Sequence, residues 1–192
     1  MIDLILLAAG ASRRFGSQKL LADFHGKPLY RYAFDAARHA ANEMLGLRVT
    51  VVTRSNVLDE PIREYGFNKI IVPDGRPLSE SVAAGSKAAR SGSCRCFMVC
   101  DQPGFTGEML SGFLKGYILS GRPLGRVRSG EQMGTPCVFA PYLLPQLLSL
   151  QGDEGGRSLF NGRENRTFFY DVPADALKDY DTPWNRDGAS EG

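Results

Sequence analysis

Apolar runs of strand length alternate with segments of helical spacing through the first two-thirds of the chain. We predict strands at residues 2–7, 48–53, 69–72 and 96–100, where the sequence is almost continuously apolar. Such runs are typical of strands that are covered by helices on both faces, as in parallel sheets. The alternation therefore predicts an α/β fold with a mostly parallel sheet.

The helices are predicted from apolar positions that recur at a spacing of three and four residues. This pattern covers residues 28–40, and Pro28 then lies in the first helical turn, where proline is tolerated. Two further helices are predicted at residues 79–89 and 109–119.

The pattern changes after Gly121, where the periodic segments become shorter. Short strands are predicted at residues 124–128, 137–139 and 167–172, and a short helix at residues 142–148. We interpret this part as a small antiparallel insertion that closes over the sheet. A length of 192 residues with 43% hydrophobic content fits one domain, which we place at residues 1–186, followed by a flexible polar tail at residues 187–192.

Charge and hydropathy exclude several classes of protein. The 23 basic and 21 acidic residues leave a net charge of +2, which does not favour a nucleic-acid partner. No apolar run approaches the roughly 20 residues that cross a bilayer, so no membrane partner is expected. The apolar start at residues 1–9 lacks a preceding basic region and is interpreted as a strand instead of a signal peptide. We therefore expect a cytoplasmic protein.

Four cysteines lie in apolar surroundings without a CxxC pair, and the chain has only two histidines to assist them as metal ligands. The cysteines are Cys94, Cys96, Cys100 and Cys137. This pattern favours reduced and mostly buried thiols over a zinc site.

The loop after the first predicted strand has the composition of a polyphosphate site. Residues 7–19 read LAAGASRRFGSQK, in which small residues would let backbone N–H groups approach phosphate oxygens. Arg14 can bind two oxygens at once, and Lys19 can act as a mobile positive charge. The loop matches neither GxxxxGK[ST] nor GxGxxG, which disfavours P-loop ATPases and dinucleotide-binding dehydrogenases. The alternative is a solvated turn with incidental basic residues.

Carboxylates follow two other segments in positions that suit a metal ion. Asp101 comes directly after the predicted strand at residues 96–100, and Pro103 prevents that strand from continuing. Carboxylate oxygens suit Mg²⁺, which is often shared with substrate phosphates. Asp179 and Asp181 alternate around Tyr180 and would share one face of an extended segment. Asp101 could alternatively cap a turn before the third predicted helix. Asp181 could alternatively cap the start of a helix that follows it.

These motifs together resemble a known family. LAAGASRRFGSQKLL is similar to the signature loop of the MobA-like nucleotidyltransferases, and its Ala-Ala-Gly variant is closest to the molybdenum-cofactor cytidylyltransferases. HGKPL, GRPLSESVAAG, VCDQP and DYDTP follow in the order in which that family has them, so the resemblance covers nearly the whole chain. It implies a three-layer α/β/α, Rossmann-like nucleotidyltransferase fold. Residues 1–105 would then form the nucleotide-binding half and residues 106–186 the acceptor-binding half.

The resemblance also implies roles for individual residues. Arg14, Lys19 and Asp101 would be catalytic, and Asp101 with Asp181 would bind Mg²⁺, with Mn²⁺ as an alternative ion. The nucleotide would contact Leu7, Ala8, Ala9, Gly10, Arg14, Lys19, Ser81 and Gly85. Ser79 lies on the same segment, where it could contact the nucleotide or cap its helix. We hypothesise that the methyl group of Ala9 narrows the base pocket and so excludes purines.

The activity that the resemblance implies is transfer of CMP from CTP to the terminal phosphate of molybdopterin, with release of pyrophosphate. Such a protein would act as a monomer and could meet a molybdoenzyme or its insertion chaperone. The alternatives are a guanylyltransferase of the same family, a nucleotidyltransferase for a sugar phosphate or another small phosphate, and a partner of a molybdoenzyme that binds nucleotide without turnover.

Two departures from the family pattern concern the acceptor side. Thr135 replaces the usual histidine before proline, and residues 155–157 read Gly-Gly-Arg where the family has Gly-Ala-Arg. By the resemblance, this second segment opens a short helix whose backbone N–H groups and Arg157 guanidinium could hold an acceptor phosphate.

Overall fold

The strands and helices of this protein come from a computed structural model that describes residues 1–10 and 19–180. The strands are β1 (Ile2–Ala8), β2 (Asp23–Phe24), β3 (Lys27–Pro28), β4 (Arg48–Thr53), β5 (Asn68–Ile71), β6 (Cys94–Val99), β7 (Leu124–Ser129), β8 (Gln132–Phe139) and β9 (Thr167–Asp171). The α-helices are α1 (Tyr30–Glu43), α2 (Asp59–Glu64), α3 (Leu78–Ala88), α4 (Gly107–Ser120) and α5 (Leu144–Leu148).

The central sheet has seven strands in the order β5-β4-β1-β6-β8-β7-β9. β1 pairs in parallel with both β4 and β6, and β4 pairs in parallel with β5. β8 is antiparallel to β6 and β7, whereas β7 and β9 are parallel. This confirms a mostly parallel sheet, with one reversed strand contributed by the second half of the chain.

Helices cover both faces of this sheet because neighbouring residues of β1 point in opposite directions. Leu4 and Leu6 belong to a core cluster that also contains buried residues of α1 and α4. Ile5 belongs to a second cluster that includes Val82 of α3 and Leu147 of α5. The result is the three-layer α/β/α arrangement that the near-continuous apolar strands predicted.

The second half adds antiparallel pairing as predicted, but its strands extend the sheet and do not close over it, whereas α5 packs on one face. β8 pairs along the free edge of β6, from Arg95 opposite Phe139 to Phe97 opposite Cys137. β7 and β9 then extend the same sheet. The backbone N–H and C=O groups of β6 explain this, because a buried strand edge must find hydrogen-bond partners. The single-domain organisation of residues 1–186 stays a prediction.

The first helix also starts later than predicted. Pro28 ends β3 and pairs with Asp23 of β2, in a small hairpin whose turn places His25 at φ 50 and Gly26 at φ 88. α1 therefore begins only at Tyr30. The six-residue helix α2 was not predicted, because it is too short to show a helical period.

Other expectations concern thiols and membranes. The four cysteines are free, and three of them are buried. Burial raises the pKa of the Cys137 thiol to about 12, which makes it an unreactive core group. Within residues 1–10 and 19–180, no helix is long and apolar enough to cross a bilayer.

Candidate active site

The predicted site residues gather at the edge of the sheet where the central parallel strands end. Ala8, the last residue of β1, pairs with Thr53, the last residue of β4, and Leu7 pairs with Val99 at the end of β6. The residues that follow these strands therefore lie side by side. This carboxyl edge is where open α/β sheets bind ligands.

A salt bridge joins the end of the phosphate-type loop to the predicted metal strand. Lys19 Nζ lies 2.8 Å from Asp101 Oδ2, although 82 residues separate the two along the chain. The side chain of Lys19 is only 6% exposed, and that of Asp101 is 26% exposed. A buried ammonium group can bind a phosphate oxygen, and the partly exposed carboxylate next to it can bind a cation.

The other residues of the loop are described only in part. Leu7 is half-buried, Ala8 and Ala9 are buried, and Gly10 is exposed. Ala9 is 5% exposed and belongs to the core cluster on the α3 face, so its methyl group packs in the core. This placement gives no direct support to the hypothesis that Ala9 narrows a base pocket. Arg14 lies outside the described residues, and its role stays a prediction.

The side chain of Gln102 connects three segments of the carboxyl edge. Its Nε2 donates to the carbonyl oxygen of Leu177 at 3.2 Å, and its Oε1 accepts from the hydroxyl of Thr135 at 3.2 Å. Gln102 is the neighbour of Asp101, and Thr135 lies in the segment resembling the acceptor side. The residue that departs from the family pattern is thus bonded to the loop that carries the metal-binding candidate.

The chain before Asp181 packs closely on the same edge. A Cβ atom at Gly104 would lie 2.5 Å from the carbonyl oxygen of Asp175, so only glycine allows this approach. Further along, the ring of Tyr180 contacts that of Phe24, with 4.6 Å between the centroids. The segment leading to Asp181 is therefore held at both ends. Asp181 itself lies outside the described residues, and its role as a ligand stays a prediction.

Helix α3 carries the remaining nucleotide candidates. Gly85 packs on the sheet, because a Cβ there would lie 2.6 Å from Cγ2 of Ile5. Ser81, one turn earlier, is 1% exposed. The structure thus gives Gly85 a packing role and buries Ser81, and nucleotide contacts by either residue stay a prediction.

The start of α3 differs from the capping role considered for Ser79. The helix begins at Leu78, whose N–H donates to Oδ1 of Asp153 at 3.3 Å. The N–H of Ser79 donates to the carbonyl oxygen of Gly152 at 3.1 Å. Residues 152–153 therefore cap α3, and they join the nucleotide-contacting segment to the segment that the resemblance assigns to the acceptor.

That acceptor segment forms no regular α-helix. Arg157 begins a four-residue 3-10 turn, Arg157–Phe160. Gly155 packs against Leu78, and Gly156, at φ 85, lies against the ring of Phe139. The predicted helix is thus a single turn, and an acceptor contact by Arg157 stays a prediction.

Arg54 is a charged residue at the carboxyl edge that the sequence analysis did not identify. It follows β4 directly, its side chain is 14% exposed, and its Nη1 lies 3.3 Å from Oδ1 of Asp74. Its Nη2 donates to the carbonyl oxygen of Arg76. The side chain therefore ties the end of β4 to the loop before α3. The signal was available, because Arg54 is a charged residue directly after a buried strand, as Asp101 is.

The oxygen donors at this edge fit a hard divalent cation. Asp101 offers a partly exposed carboxylate, and among the described residues no group of three His, Cys, Asp or Glu side chains forms a metal cluster. Mg²⁺ usually keeps several waters and binds through one or two carboxylates together with substrate phosphates. A carboxylate at the end of a central strand suits that mode of binding.

Comparison with known proteins agrees with this geometry. The model of the MobA-like NTP transferase domain matches residues 4–167. The chain belongs to the MobA-like NTP transferase family. A relative in this family, "Probable molybdenum cofactor guanylyltransferase" of Bacillus licheniformis, is 33% identical over 111 residues. That alignment covers 56% of this chain and 52% of the relative, so the chain spans about half the length of this curated relative.

Solved structures share the fold over nearly the whole chain. Rv0371c of Mycobacterium tuberculosis H37Rv has a TM-score of 0.77 at 21% identity and covers 95% of this chain and 94% of its own. A nucleotidyl transferase of Methanothermobacter has a TM-score of 0.76 at 20% identity, with coverage of 95% and 92%. Rv0371c has also been crystallised with manganese (TM-score 0.68, 20% identity, coverage 89% and 88%). The predicted family and fold are therefore confirmed.

Proposed function

We propose that this nucleotidyltransferase transfers CMP from CTP to the terminal phosphate of molybdopterin and releases pyrophosphate. The observation that carries this proposal is the contact of 2.8 Å between Lys19 and Asp101 at the carboxyl edge. A phosphate group needs cationic and N–H donors, and a metal ion needs carboxylate oxygens, and this edge offers both. The Ala-Ala-Gly form of the loop supports CTP as the donor.

In the proposed reaction, a phosphate oxygen of the acceptor attacks the α-phosphorus of CTP. One P–O bond forms there, the bond between the α-phosphorus and its bridging oxygen breaks, and pyrophosphate leaves. No covalent intermediate with the protein is required, so the protein acts by positioning the reactants and by neutralising charge. Histidine and cysteine have no part in it, which agrees with the burial of Cys100, the neighbour of Asp101.

The roles proposed for the residues combine the positions of Lys19 and Asp101 with the family resemblance. Lys19 holds a phosphate oxygen of the reacting group. The backbone of residues 7–10 and the guanidinium of Arg14 bind the remaining phosphates. Asp101, with Asp181, holds Mg²⁺ or Mn²⁺, and Ser81 with Gly85 supports the nucleoside side. When bound, the ion neutralises charge on the phosphate oxygens.

A titration tests the nucleotide first. The protein is titrated calorimetrically with CTP, GTP, ATP and UTP in the presence of Mg²⁺, and pyrophosphate release is then followed with molybdopterin as acceptor. We expect selective CTP binding and acceptor-dependent pyrophosphate release. Binding of CTP without release would instead favour a nucleotide-binding partner of a molybdoenzyme or its chaperone, and absence of binding would contradict the proposal.

Lys19→Met is the matched variant for the same assay. It removes the positive charge and keeps an unbranched side chain of similar length in the buried position. We expect at least a tenfold loss of CTP affinity, because charge-assisted contacts to phosphate are among the stronger hydrogen bonds. Unchanged affinity would remove Lys19 from the phosphate site.

Guanylyl transfer is the second candidate, and the 33% identical relative favours it, since that protein is described as a guanylyltransferase. The same titration separates the two, because a preference for GTP of tenfold or more would assign the protein to guanylyl transfer.

A further inference from the structure

A cavity of about 630 Å³ lies at the opposite end of the sheet from the candidate active site. It is formed by the end of α1, the segment that leads into β4 and the turn between α2 and β5. We call this end, where the parallel strands begin, the amino edge. β1 has seven residues, which at roughly 3.3 Å per residue places the amino edge about 20 Å from the carboxyl edge. The cavity is therefore separate from the Lys19 and Asp101 pair.

The charged side chains that line this cavity are mainly cationic. They are Arg38, Arg48, Arg63, Arg90 and Glu64. Asp3 does not line the cavity, but it binds Arg48 and Arg90. Glu64 and Asp3 can compensate only two of the four positive charges, and Glu64 also lies 3.5 Å from Arg31, outside the cavity. The cavity therefore has a positive potential, which favours an anionic ligand.

Arg38 of α1 has donors that no described part of the protein uses. Its Nη2 donates to the carbonyl oxygen of Glu64 at 3.0 Å, and its guanidinium carbon lies 4.7 Å from the centre of the Tyr65 ring. Its Nε is buried without a hydrogen-bond partner, and among residues 1–10 and 19–180 Arg38 forms no salt bridge. A buried donor without an acceptor costs free energy. Arg38 is thus oriented by Tyr65 but lacks an anion.

Arg48 and Arg90 are held in place by bonds that need no ligand. Oδ1 of Asp3 accepts from Nε of Arg48 at 2.5 Å, and Oδ2 accepts from Nε of Arg90 at 3.1 Å. Nη2 of Arg48 donates to the carbonyl oxygen of Ala88, and Nη2 of Arg90 donates to that of Gly46. Within the described ranges, Nη1 of each arginine has no acceptor, and the two side chains are 34% and 29% exposed. A ligand would therefore meet donors that are already oriented.

A structural role explains only part of this arrangement. Arg38 and Arg48 bind carbonyl oxygens at the ends of α2 and α3, as arginines near the carboxyl ends of helices often do. Those bonds use Nη2 in both cases. Helix capping therefore accounts for the positions of the arginines and leaves their Nη1 groups for another partner.

Apolar side chains form another part of the cavity wall. Val49 is buried, and Leu47 and Phe67 are half-buried, and all three line the cavity beside the ring of Tyr65. An inorganic anion would leave this surface uncovered, whereas an anion with an apolar body would cover it. The volume is in the range of cavities that hold small organic ligands.

We propose that this cavity binds a small phosphate monoester with an aromatic or other apolar body. Phosphate fits better than a carboxylate, because a monoester dianion offers three terminal oxygens to three arginines, and guanidinium groups bind phosphate through paired N–H donors. The site is separate from the one that Lys19 forms with Asp101, and the inference does not rest on the proposed function.

Phenyl phosphate is the probe, titrated into the full chain and followed by calorimetry, with inorganic phosphate for comparison. Arg38→Met is compared with Arg128→Met, because both arginines are half-buried and lie over an aromatic ring, Tyr65 for Arg38 and Phe169 for Arg128. We expect at least a tenfold loss of phenyl phosphate affinity in Arg38→Met and less than a twofold change in Arg128→Met. Inorganic phosphate should bind the wild type at least tenfold more weakly than phenyl phosphate.

A second variant tests the cavity without removing a charge. Asn42 is exposed on α1 and lines the cavity, so Asn42→Trp places a bulky side chain there. We expect it also to lower phenyl phosphate affinity at least tenfold. Arg38→Lys serves if Arg38→Met does not fold, and its affinity should lie below that of the wild type because it lacks the paired donors.

Four results would overturn the proposal. Phenyl phosphate affinity could be unchanged in Arg38→Met, or it could fall equally in Arg128→Met. Inorganic phosphate could bind as tightly as phenyl phosphate, which would remove the apolar part of the site. Saturating CTP with Mg²⁺ could displace phenyl phosphate from the wild type, which would place it in the nucleotide site. If no nucleotide binds at all, the proposed function fails, and Arg38→Met still decides this inference.

Discussion

The two edges of the central sheet differ in how far their carboxylates are buried. At the amino edge, Asp3 is 1% exposed and is bound by Arg48 at 2.5 Å and by Arg90 at 3.1 Å. At the carboxyl edge, Lys19 Nζ lies 2.8 Å from Oδ2 of Asp101, and the side chain of Asp101 is 26% exposed. Burial by itself would raise the pKa of Asp3, but hydrogen bonds from Ser93, Arg90 and Arg48 outweigh it and lower the pKa.

The difference indicates what each set of charges does. Arg48 and Arg90 also donate to backbone carbonyls, Arg48 to Ala88 and Arg90 to Ile2 and Gly46, so the amino-edge network closes the fold without a ligand. At the carboxyl edge, the carboxylate of Asp101 is 26% exposed although it contacts Lys19, so it remains accessible to a cation. A buried and fully bonded charge contributes to stability, whereas a partly exposed one can bind a ligand. Variants at the two edges should therefore separate stability from activity.

The largest expected effect is on activity at the carboxyl edge. Asp101→Asn keeps the size of the side chain but removes the charge that would bind a divalent cation. We expect turnover to fall by about 10³-fold or more, because metal-assisted charge neutralisation supplies several kcal/mol. The melting temperature should also fall, because Lys19 is only 6% exposed and loses a carboxylate partner, so turnover is compared per folded molecule. Steady-state pyrophosphate release over a Mg²⁺ titration, with thermal unfolding as control, measures both. Turnover close to that of the wild type would remove Asp101 from the metal site.

The next effect is on stability at the amino edge. Asp3→Asn leaves two arginines without their carboxylate, and we expect a loss of about 2–4 kcal/mol in the free energy of unfolding, since both arginines are partly exposed. The folded-state pKa of Asp3 is lowered, so its stabilisation is fully present above the unfolded value near 3.8 and is lost as the pH falls through the folded pKa.

Urea unfolding at pH 7 and at pH 3 checks this prediction. The difference in unfolding free energy between wild type and Asp3→Asn should be large at pH 7 and should shrink at pH 3. The activity per folded molecule should not change. A difference that stayed constant with pH would mean that the carboxylate charge of Asp3 is not what stabilises the fold.

A smaller effect is expected where the acceptor segment meets the metal loop. Thr135→Val keeps the shape of the side chain and removes the hydroxyl that donates to Gln102. We expect kcat to fall about tenfold with little change in the KM for nucleotide, because Gln102 would lose one of the two bonds that hold the loop next to Asp101. Thr135→Ser restores the donor and should recover most of the rate. Equal loss in both variants would show a packing effect and no positioning role for the hydroxyl.

The smallest effect is expected at the exposed pair on β7 and β9. Asp171 is 68% exposed at its side chain and binds Arg128. Exposed ion pairs contribute about 0–1 kcal/mol, so Asp171→Asn should change the free energy of unfolding by less than about 1 kcal/mol and leave turnover unchanged. Parallel urea unfolding and activity measurements test it. A large loss of turnover would mean that charge compensation at β7 also affects the site.

Prediction from the sequence succeeded where each strand or helix carried its own signal. The strand predicted at residues 48–53 is β4 without a change of bounds, and the helix at 109–119 lies within α4. Prediction failed where strand pairing decided the structure, because Pro28 is compatible both with a helix start and with a strand of a hairpin. The contact of Lys19 with Asp101 could be expected, since both residues follow central strands of one parallel sheet. The bond from Thr135 to Gln102 could not be predicted, because β8 had to be placed beside β6 first.

The sequence by itself determined the parallel sheet with helices on both faces, the residues that follow its strands, and the family. Apolar periodicity and local motifs are sufficient for these, because they depend on neighbouring residues. Only the tertiary structure decided which charges are compensated. Asp3 meets Arg48 and Arg90 across 45 and 87 residues of chain, and Lys19 meets Asp101 across 82 residues. Compensation depends on distances of a few ångströms between distant segments, and composition contains no information on those distances.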